Sequence, residues 1–198
     1  SFAFLKVPGM SIEHAIRSSL FETVSILTST GFYSENLADL PQFMWIMLFF
    51  CMIVGACAGS TSGGIKSIRV VMLMKNVRNE FRRILHPNAV LPIRVNGEVM
   101  TRSIQPTLAA FITLYIIIII VSSLAFVALG ISLDHAYEVT ISCISNCGPA
   151  FGPQLDAQLG WDTLPLAGKW LCSALMLIGR LEIFSVLVIF TKSFWKDV

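Results

Sequence analysis

Thr28-Ser29-Thr30-Gly31-Phe32 and Ser145-Asn146-Cys147-Gly148-Pro149 each end a half-length apolar segment with a short polar stretch containing a glycine. At membrane depth a backbone can leave its helix only where protein or a water-filled cavity satisfies its carbonyls. Two such breaks at corresponding places therefore point to a path for ions.

The rest of the chain agrees with a membrane setting. Of its 198 residues 55% are apolar and 13% charged, and the mean hydropathy is +0.76. So much apolar surface does not fit inside one soluble core. Runs long enough to cross about 30 Å of hydrocarbon cover 107–131 and 164–190, and 43–58 continues after a polar break. The first residue is Ser and no charged leader with a small-residue cleavage site precedes the first apolar stretch, which reads as a piece of a longer chain.

Charge is distributed unevenly. Of the fourteen Lys and Arg, eight lie between Lys66 and Arg102, which predicts a cytoplasmic linker by the positive-inside rule. The stretches after the two turns carry Glu35, Asp39, Asp156 and Asp162, with no basic residue before Lys169 in the second. They are expected to face outward and to concentrate cations at an entrance. Cys51, Cys57, Cys143, Cys147 and Cys172 lie in apolar segments without a CxxC, and read as small buried hydrophobes rather than a disulfide or zinc set. His14 and His135 head the two half-length segments and His86 lies in the linker, a scatter that suits interfacial or capping residues.

An internal repeat underlies the pair of turns. Ile12-Glu13-His14-Ala15 recurs as Leu133-Asp134-His135-Ala136, and the Ser25 to Gly31 stretch recurs from Ser142 to Gly148. Met52-Ile53-Val54-Gly55 matches Met176-Leu177-Ile178-Gly179, and Trp45 matches Trp170 with a one-residue slip. Four matches in one order predict a duplicated unit: short helix, turn, acidic outer loop and long helix back to the cytoplasm. The run 107–131 supplies a full crossing before the second unit, and the first unit lacks its equivalent.

Ser11 or Glu13 is placed to cap the first half-helix and Asp134 the second, so both are expected to start near the outer surface and run inward. Their partially negative carboxyl ends then point at the membrane centre, which favours a desolvating cation. A ring of carbonyls turned toward such an ion needs residues that tolerate positive φ, and Gly31 and Gly148 are placed for that. Singly, each glycine reads as an ordinary helix C-cap; as a duplicated pair they favour the filter reading.

The run 43–58 is interrupted by Gly59-Ser60-Thr61-Ser62-Gly63-Gly64, with helical character expected again over 65–77. Three glycines in six residues cost a continuous helix about 1 kcal/mol each relative to Ala. The stretch is a near match to a phosphate-binding loop, but Ile65 puts Lys66 one place late, and ATP binding is not expected. Arg180 falls near the middle of 164–190, where a charge costs several kcal/mol unless it meets a polar cavity or partner. On a continuous helix Glu182 lies on nearly the opposite face, so the two are not expected to share a site.

Together, Thr28-Ser29-Thr30-Gly31-Phe32, Gly59-Ser60-Thr61-Ser62-Gly63-Gly64-Ile65-Lys66, Ser145-Asn146-Cys147-Gly148-Pro149 and Gly179-Arg180-Leu181-Glu182-Ile183-Phe184 resemble the TrkH family of bacterial potassium-uptake proteins, within the wider Trk, Ktr and HKT superfamily. The resemblance covers nearly the whole chain, and the second and fourth motifs are the most specific. It implies an all-α integral membrane protein of helix, re-entrant pore helix, helix repeats of potassium-channel type. Residues 1–80 would be a third repeat without its outer helix, 81–106 a basic cytoplasmic linker and 107–198 a fourth repeat.

The chain would then supply two of four filter quadrants. The resemblance implies potassium-coordinating carbonyls at Ser29, Thr30, Asn146 and Cys147, with Thr28, Gly31, Ser145 and Gly148 alongside. It implies a gating loop of Gly59, Ser60, Thr61, Ser62, Gly63 and Gly64 with Lys66, and Arg180 beneath the filter as an electrostatic barrier. Non-glycine residues at most filter positions make a less regular filter than TVGYG. The implied setting is a bacterial inner membrane, with linker and carboxyl terminus cytoplasmic. The implied partners are the amino-terminal half of the same pore, a second subunit in a homodimer, membrane lipid at the basic linker and a cytosolic TrkA-type nucleotide-binding regulator.

Potassium would be the only cofactor-like species, with no organic cofactor, transition metal or nucleic acid. No nucleophile and base, metal cluster or GxSxG elbow points to an enzyme. The alternative is a sodium- or proton-coupled symporter, because Glu22 or Glu138 on a pore helix could titrate.

Overall fold

The computed structural model describes residues 11–34, 42–57, 59–60, 62–86, 94–95, 98–99, 104–149, 161, 164–190 and 194–195. Helix α1 (Ile12–Leu27) begins at Ser11, whose Oγ accepts from the His14 amide at 3.3 Å. Its buried residues, Ala15, Ser18, Ser19, Glu22, Ser25 and Ile26, recur at helical spacing and are mostly polar. Its apolar face, with Ile12, Ile16, Leu20, Phe21 and Val24, is exposed. This inversion of soluble-protein patterning suits a helix whose polar side faces protein at membrane depth.

Helix α2 (Gln42–Val54) buries Met44, Trp45, Leu48 and Met52 against Ala15 and Ile26 of α1. It ends at Val54, earlier than expected, because Gly55 takes φ +67 and turns the chain out of the helix. Helix α3 (Ser67–Leu85) then starts two residues later than expected and runs beyond Val77 to Leu85, into the stretch assigned to the linker. A two-residue antiparallel hairpin, β1 (Arg94–Val95) and β2 (Glu98–Val99), is the one β element among the described residues, which are otherwise mostly helical.

Helix α4 (Ile104–Ala128) is the one described helix long and apolar enough to cross a bilayer alone. Its 25 residues span about 37 Å at 1.5 Å each. Ile116, Ile117, Ile120, Val121 and Leu124 are exposed, while Phe111, Tyr115, Ser123 and Phe126 are buried. Helix α5 (Leu133–Ser145) packs between α4 and the next helix, with Ala136 and every residue from Glu138 to Ser145 buried. Ser132 precedes α5 without a side-chain cap bond, and Asp134 lies inside the first turn. Asp134 therefore acts on the helix dipole and not as the expected cap.

The last apolar run is not one continuous helix. Helix α6 (Leu166–Arg180) stops at Arg180, and α7 (Ile183–Ile189) leaves at 111°. Together they pass as one broken span. A charged residue on each side of the break, Arg180 and Glu182, makes a straight hydrophobic rod unfavourable at that depth. The break has a counterpart between α2 and α3, so both long helices that follow the turns are interrupted.

Candidate ion pathway

The two turns share one backbone design. Thr30 N–H bonds to the Ser25 carbonyl at 2.8 Å, and Cys147 N–H bonds to the Ser142 carbonyl at 3.2 Å. Ser29 N–H bonds to the Ile26 carbonyl, and Asn146 N–H to that of Cys143, both at 3.1 Å. Positive φ falls at Gly31 (+80) and Gly148 (+102), as the sequence predicts. It also falls at Ser29 (+56), which no composition rule flags, and at Asn146 (+54), a residue type that tolerates the left-handed region at a helix end. A serine in the left-handed region costs about 1–2 kcal/mol, so the same conformation in both turns marks a shape that surrounding contacts hold in place.

Those contacts bring the turns together. A Cβ on Gly31 would overlap the Cys147 carbonyl oxygen and lie 3.2 Å from the Pro149 ring, so only glycine admits this approach. The Cys147 thiol donates to the Ile26 carbonyl at 3.7 Å, and Ser29 Oγ donates to the Ser145 carbonyl at 3.2 Å. Thr28 Oγ1 bonds back to the Val24 carbonyl at 2.7 Å and contacts Thr30 Oγ1 at 2.8 Å. Ser25 Oγ donates to the Phe32 carbonyl at 2.5 Å. Glu22, fully buried, accepts from the Ser34 amide at 2.7 Å and its hydroxyl at 3.1 Å, so this carboxylate braces the chain leaving the first turn.

The glycine-rich loop lies directly against the end of α5. A Cβ on Gly63 would meet the Ser145 carbonyl group at 2.6 Å and the Ile144 carbonyl oxygen at 2.7 Å. Ser62 Oγ is 2.6 Å from Ser29 Oγ, a direct tie from the loop to the first turn. The loop also folds back on α2, with Ile65 N–H on the Ile53 carbonyl and Ser67 N–H on that of Ala56, both at 2.9 Å. Gly59 and Ser60 belong to the described loop, whereas Ala58 and Thr61 lie outside the described residues. Glu35, Asp39, Asp156, Asp162 and Arg102 also lie outside them.

Beneath α5 a cavity is lined by Ser60, Ser62, Lys66, Arg69, Arg180 and Glu182, among others. Here the sequence expectation needs correction. Glu182 does not face away from Arg180, because the helix breaks between them and both reach the same cavity. Glu182 bridges Lys66 at 2.5 Å and Arg69 at 3.1 Å, and Arg69 also lies 4.1 Å over the Phe111 ring. Sequence reasoning missed Arg69 and Glu182 as partners. The available signal was a carboxylate, Glu182, inside the apolar run 164–190, which calls for a cationic partner. Another correction concerns Cys57, which is exposed beside the loop, whereas Cys143, Cys147 and Cys172 are buried as expected.

Among the described residues no group of three or more His, Cys, Asp or Glu could hold a metal. What the site offers is paired carbonyl-rich turns above a cavity whose three cations outnumber one carboxylate. A profile of the TrkH family, described as cation transport protein, matches residues 6–197. The chain is 35% identical over 182 residues to the Trk system potassium uptake protein TrkH of Escherichia coli strain K12, covering 92% of this chain and 37% of that one. It is 32% identical over 177 residues to TrkI of Halomonas elongata, covering 89% of this chain and 36% of that one. The crystal structure of the potassium transporter TrkH from Vibrio parahaemolyticus superposes with a TM-score of 0.84 at 32% identity, over 98% of this chain and 41% of that one. The chain thus spans well under half the length of these relatives, yet the match runs through both turns, the glycine-rich loop and both broken helices, and the chain belongs to the TrkH family of membrane cation transport proteins.

Proposed function

We propose that this chain forms two of the four quadrants of a pore for potassium uptake across a bacterial inner membrane, completed by the amino-terminal half of the same pore. The observation that carries this reading is the repeated turn: the same backbone bonds and the same positive-φ positions, with Gly31 seated against the Cys147 carbonyl. Carbonyls of Ser29, Thr30, Asn146 and Cys147 replace the water of a dehydrated cation, and Thr28, Gly31, Ser145 and Gly148 complete the turns. Residues 1–80 and 107–198 act as two pore repeats joined by the basic stretch.

The gate is the loop of Gly59, Ser60, Thr61, Ser62, Gly63 and Gly64 together with Lys66, lying under the turns, and Arg180 in the cavity raises a barrier to cations. The basic linker and carboxyl terminus face the cytoplasm, where anionic lipid and a TrkA-type nucleotide-binding ring are its partners, and two complete chains form the homodimer. Permeation is favoured over a sodium- or proton-coupled carrier because Glu22, one of the two candidate carboxylates, is engaged in bracing Ser34.

The test is rubidium or potassium flux through the full-length protein in proteoliposomes. Flux that is independent of pH and that Gly31→Ala lowers at least roughly tenfold, a loss of about 1.4 kcal/mol, is the expected result. Strictly proton-coupled uptake, or full flux in Gly31→Ala, would overturn this assignment.

A further inference from the structure

Lys66 and Glu182 occupy equivalent places in the two broken helices. Each is the residue immediately before the helix that resumes, α3 or α7, and neither uses its side chain to cap that helix. Their backbones nearly coincide, with φ 54 and ψ 119 at Lys66 and φ 64 and ψ 137 at Glu182. This is a region that side-chain-bearing residues rarely adopt, at a cost of about 1–3 kcal/mol each. Both residues use that conformation to turn toward one another. Lys66 Nζ reaches Glu182 Oε1 at 2.5 Å, and Arg69 Nη2 takes Oε2 at 3.1 Å.

The carboxylate is thus shared between two cations of the other break. Arg69 is fixed in turn by Phe111 of α4. The Lys66 and Arg69 side chains are 19% and 20% exposed and that of Glu182 42%, so the pair is neither dry nor fully screened. Loop 55–66 is anchored at its other end by Gly55 and at its middle by Ser62. Its carboxyl end is held across the cavity by Glu182.

We propose that Glu182 is a positioning residue that keeps the intramembrane loop closed, by clamping Lys66 and Arg69 at the break of one inner helix to the break of the next. The proposal rests on the pore reading above. It gives Glu182 two effects. It holds the loop under the turns, and its one negative charge is shared between Lys66 and Arg69, so that this trio carries a net charge of +1. Opening then requires the Lys66–Glu182 bridge to part before the loop can swing away from Ser29 and Ser145.

Two readouts on the full-length protein in proteoliposomes test this. Ion flux reads the pore. Maleimide labelling of a thiol placed by Ser60→Cys in a Cys57→Ser background, read as the difference from the same background without Ser60→Cys, reports loop position without needing conduction. Glu182→Gln is expected to raise the labelling rate roughly fivefold, equivalent to about 1 kcal/mol of clamp energy, and Lys66→Gln, which parts the same bridge without adding positive charge to the cavity, to raise labelling and flux alike. Glu182→Asp is expected to retain part of the clamp. The swap Lys66→Glu with Glu182→Lys is expected to return both readouts toward wild type, which a purely structural role would not produce.

Should Glu182→Gln fail to fold, Lys66→Gln breaks the same pair from the other side and tests the clamp equally well. Labelling that rises with Glu182→Gln in a protein that passes no potassium would sustain the clamp and sink the pore. Potassium flux with both readouts unmoved by either single substitution, or a swap that restores neither, would overturn the clamp and leave the pore intact.

Discussion

Ser62→Ala probes the coupling between loop and turn most directly. Ser62 Oγ lies 2.6 Å from Ser29 Oγ, Ser29 Oγ is 3.2 Å from the Ser145 carbonyl, and Ser62 Oγ is 3.2 Å from the Gly63 carbonyl. Each hydroxyl has one proton, so the chain runs either from Ser62 through Ser29 to Ser145 or from Ser29 through Ser62 to Gly63. In both orders the Ser29–Ser62 bond is made, and one carbonyl bond accompanies it. Removing the Ser62 hydroxyl deletes the link while leaving Ser29 free to donate to Ser145.

A neutral hydrogen bond contributes about 1 kcal/mol net, which shifts the ratio of open to closed loop roughly fivefold toward open. Rubidium flux through the full-length protein should therefore rise by about that factor. Ser29→Ala should loosen the same link, and the double substitution should add little, giving a coupling energy of about 1 kcal/mol in the cycle. Effects of the two substitutions that simply add, or a Ser62→Ala protein with wild-type flux, would refute the idea that this hydroxyl pair ties the loop to the turn.

Three further outcomes are expected. Arg180→Ala should raise flux or loosen gating severalfold, as measured by isotope uptake, because it removes a cation from the cavity beneath the turns; unchanged flux and gating would count against a barrier role. Gly179→Ala places a Cβ onto the Ile144 carbonyl oxygen and 2.8 Å from Asn146 Nδ2. Overpacking of this kind costs about 1–3 kcal/mol, so the detergent-solubilised protein should melt lower by size-exclusion, whereas Gly168→Ala, whose nearest neighbours are at 3.5 Å, should not. Glu22→Leu should depress flux far more than Glu22→Gln, because glutamine keeps an acceptor for Ser34 and leucine leaves the Ser34 amide without one. Equal loss in both would show that charge, and not bracing, is what matters at Glu22.

The class of molecule, the duplicated unit and the two glycine corners were all legible from the chain. Apolar runs, charge bias and glycine placement are local properties, written within a few residues of where they act. Hence α4 was recognised within a turn of its ends, and Gly31 and Gly148 were assigned positive φ correctly. Local pattern did not locate the break in the last helix. The stretch 164–190 is apolar enough to pass as one rod; Arg180 and Glu182 disfavour that rod, and packing of α6 against α5 and of α7 against α4 accompanies the bend at Leu181 and Glu182.

The same limit explains why Arg180 and Glu182 were assigned to opposite faces and why Lys66 had no named partner. Glu182 and Lys66 are far apart in the chain, as are Ser29 and Ser145, and a pairing over such a distance depends on how whole helices stack. Positive φ at Ser29, Lys66 and Glu182 is likewise a conformation that residues of those types rarely take in isolation, whereas Asn146 is of a type that tolerates it. The amino-acid sequence therefore determined a membrane protein with two matching turns. Tertiary packing alone decided which charges meet beneath them, because each strained conformation is held only by the contacts it makes.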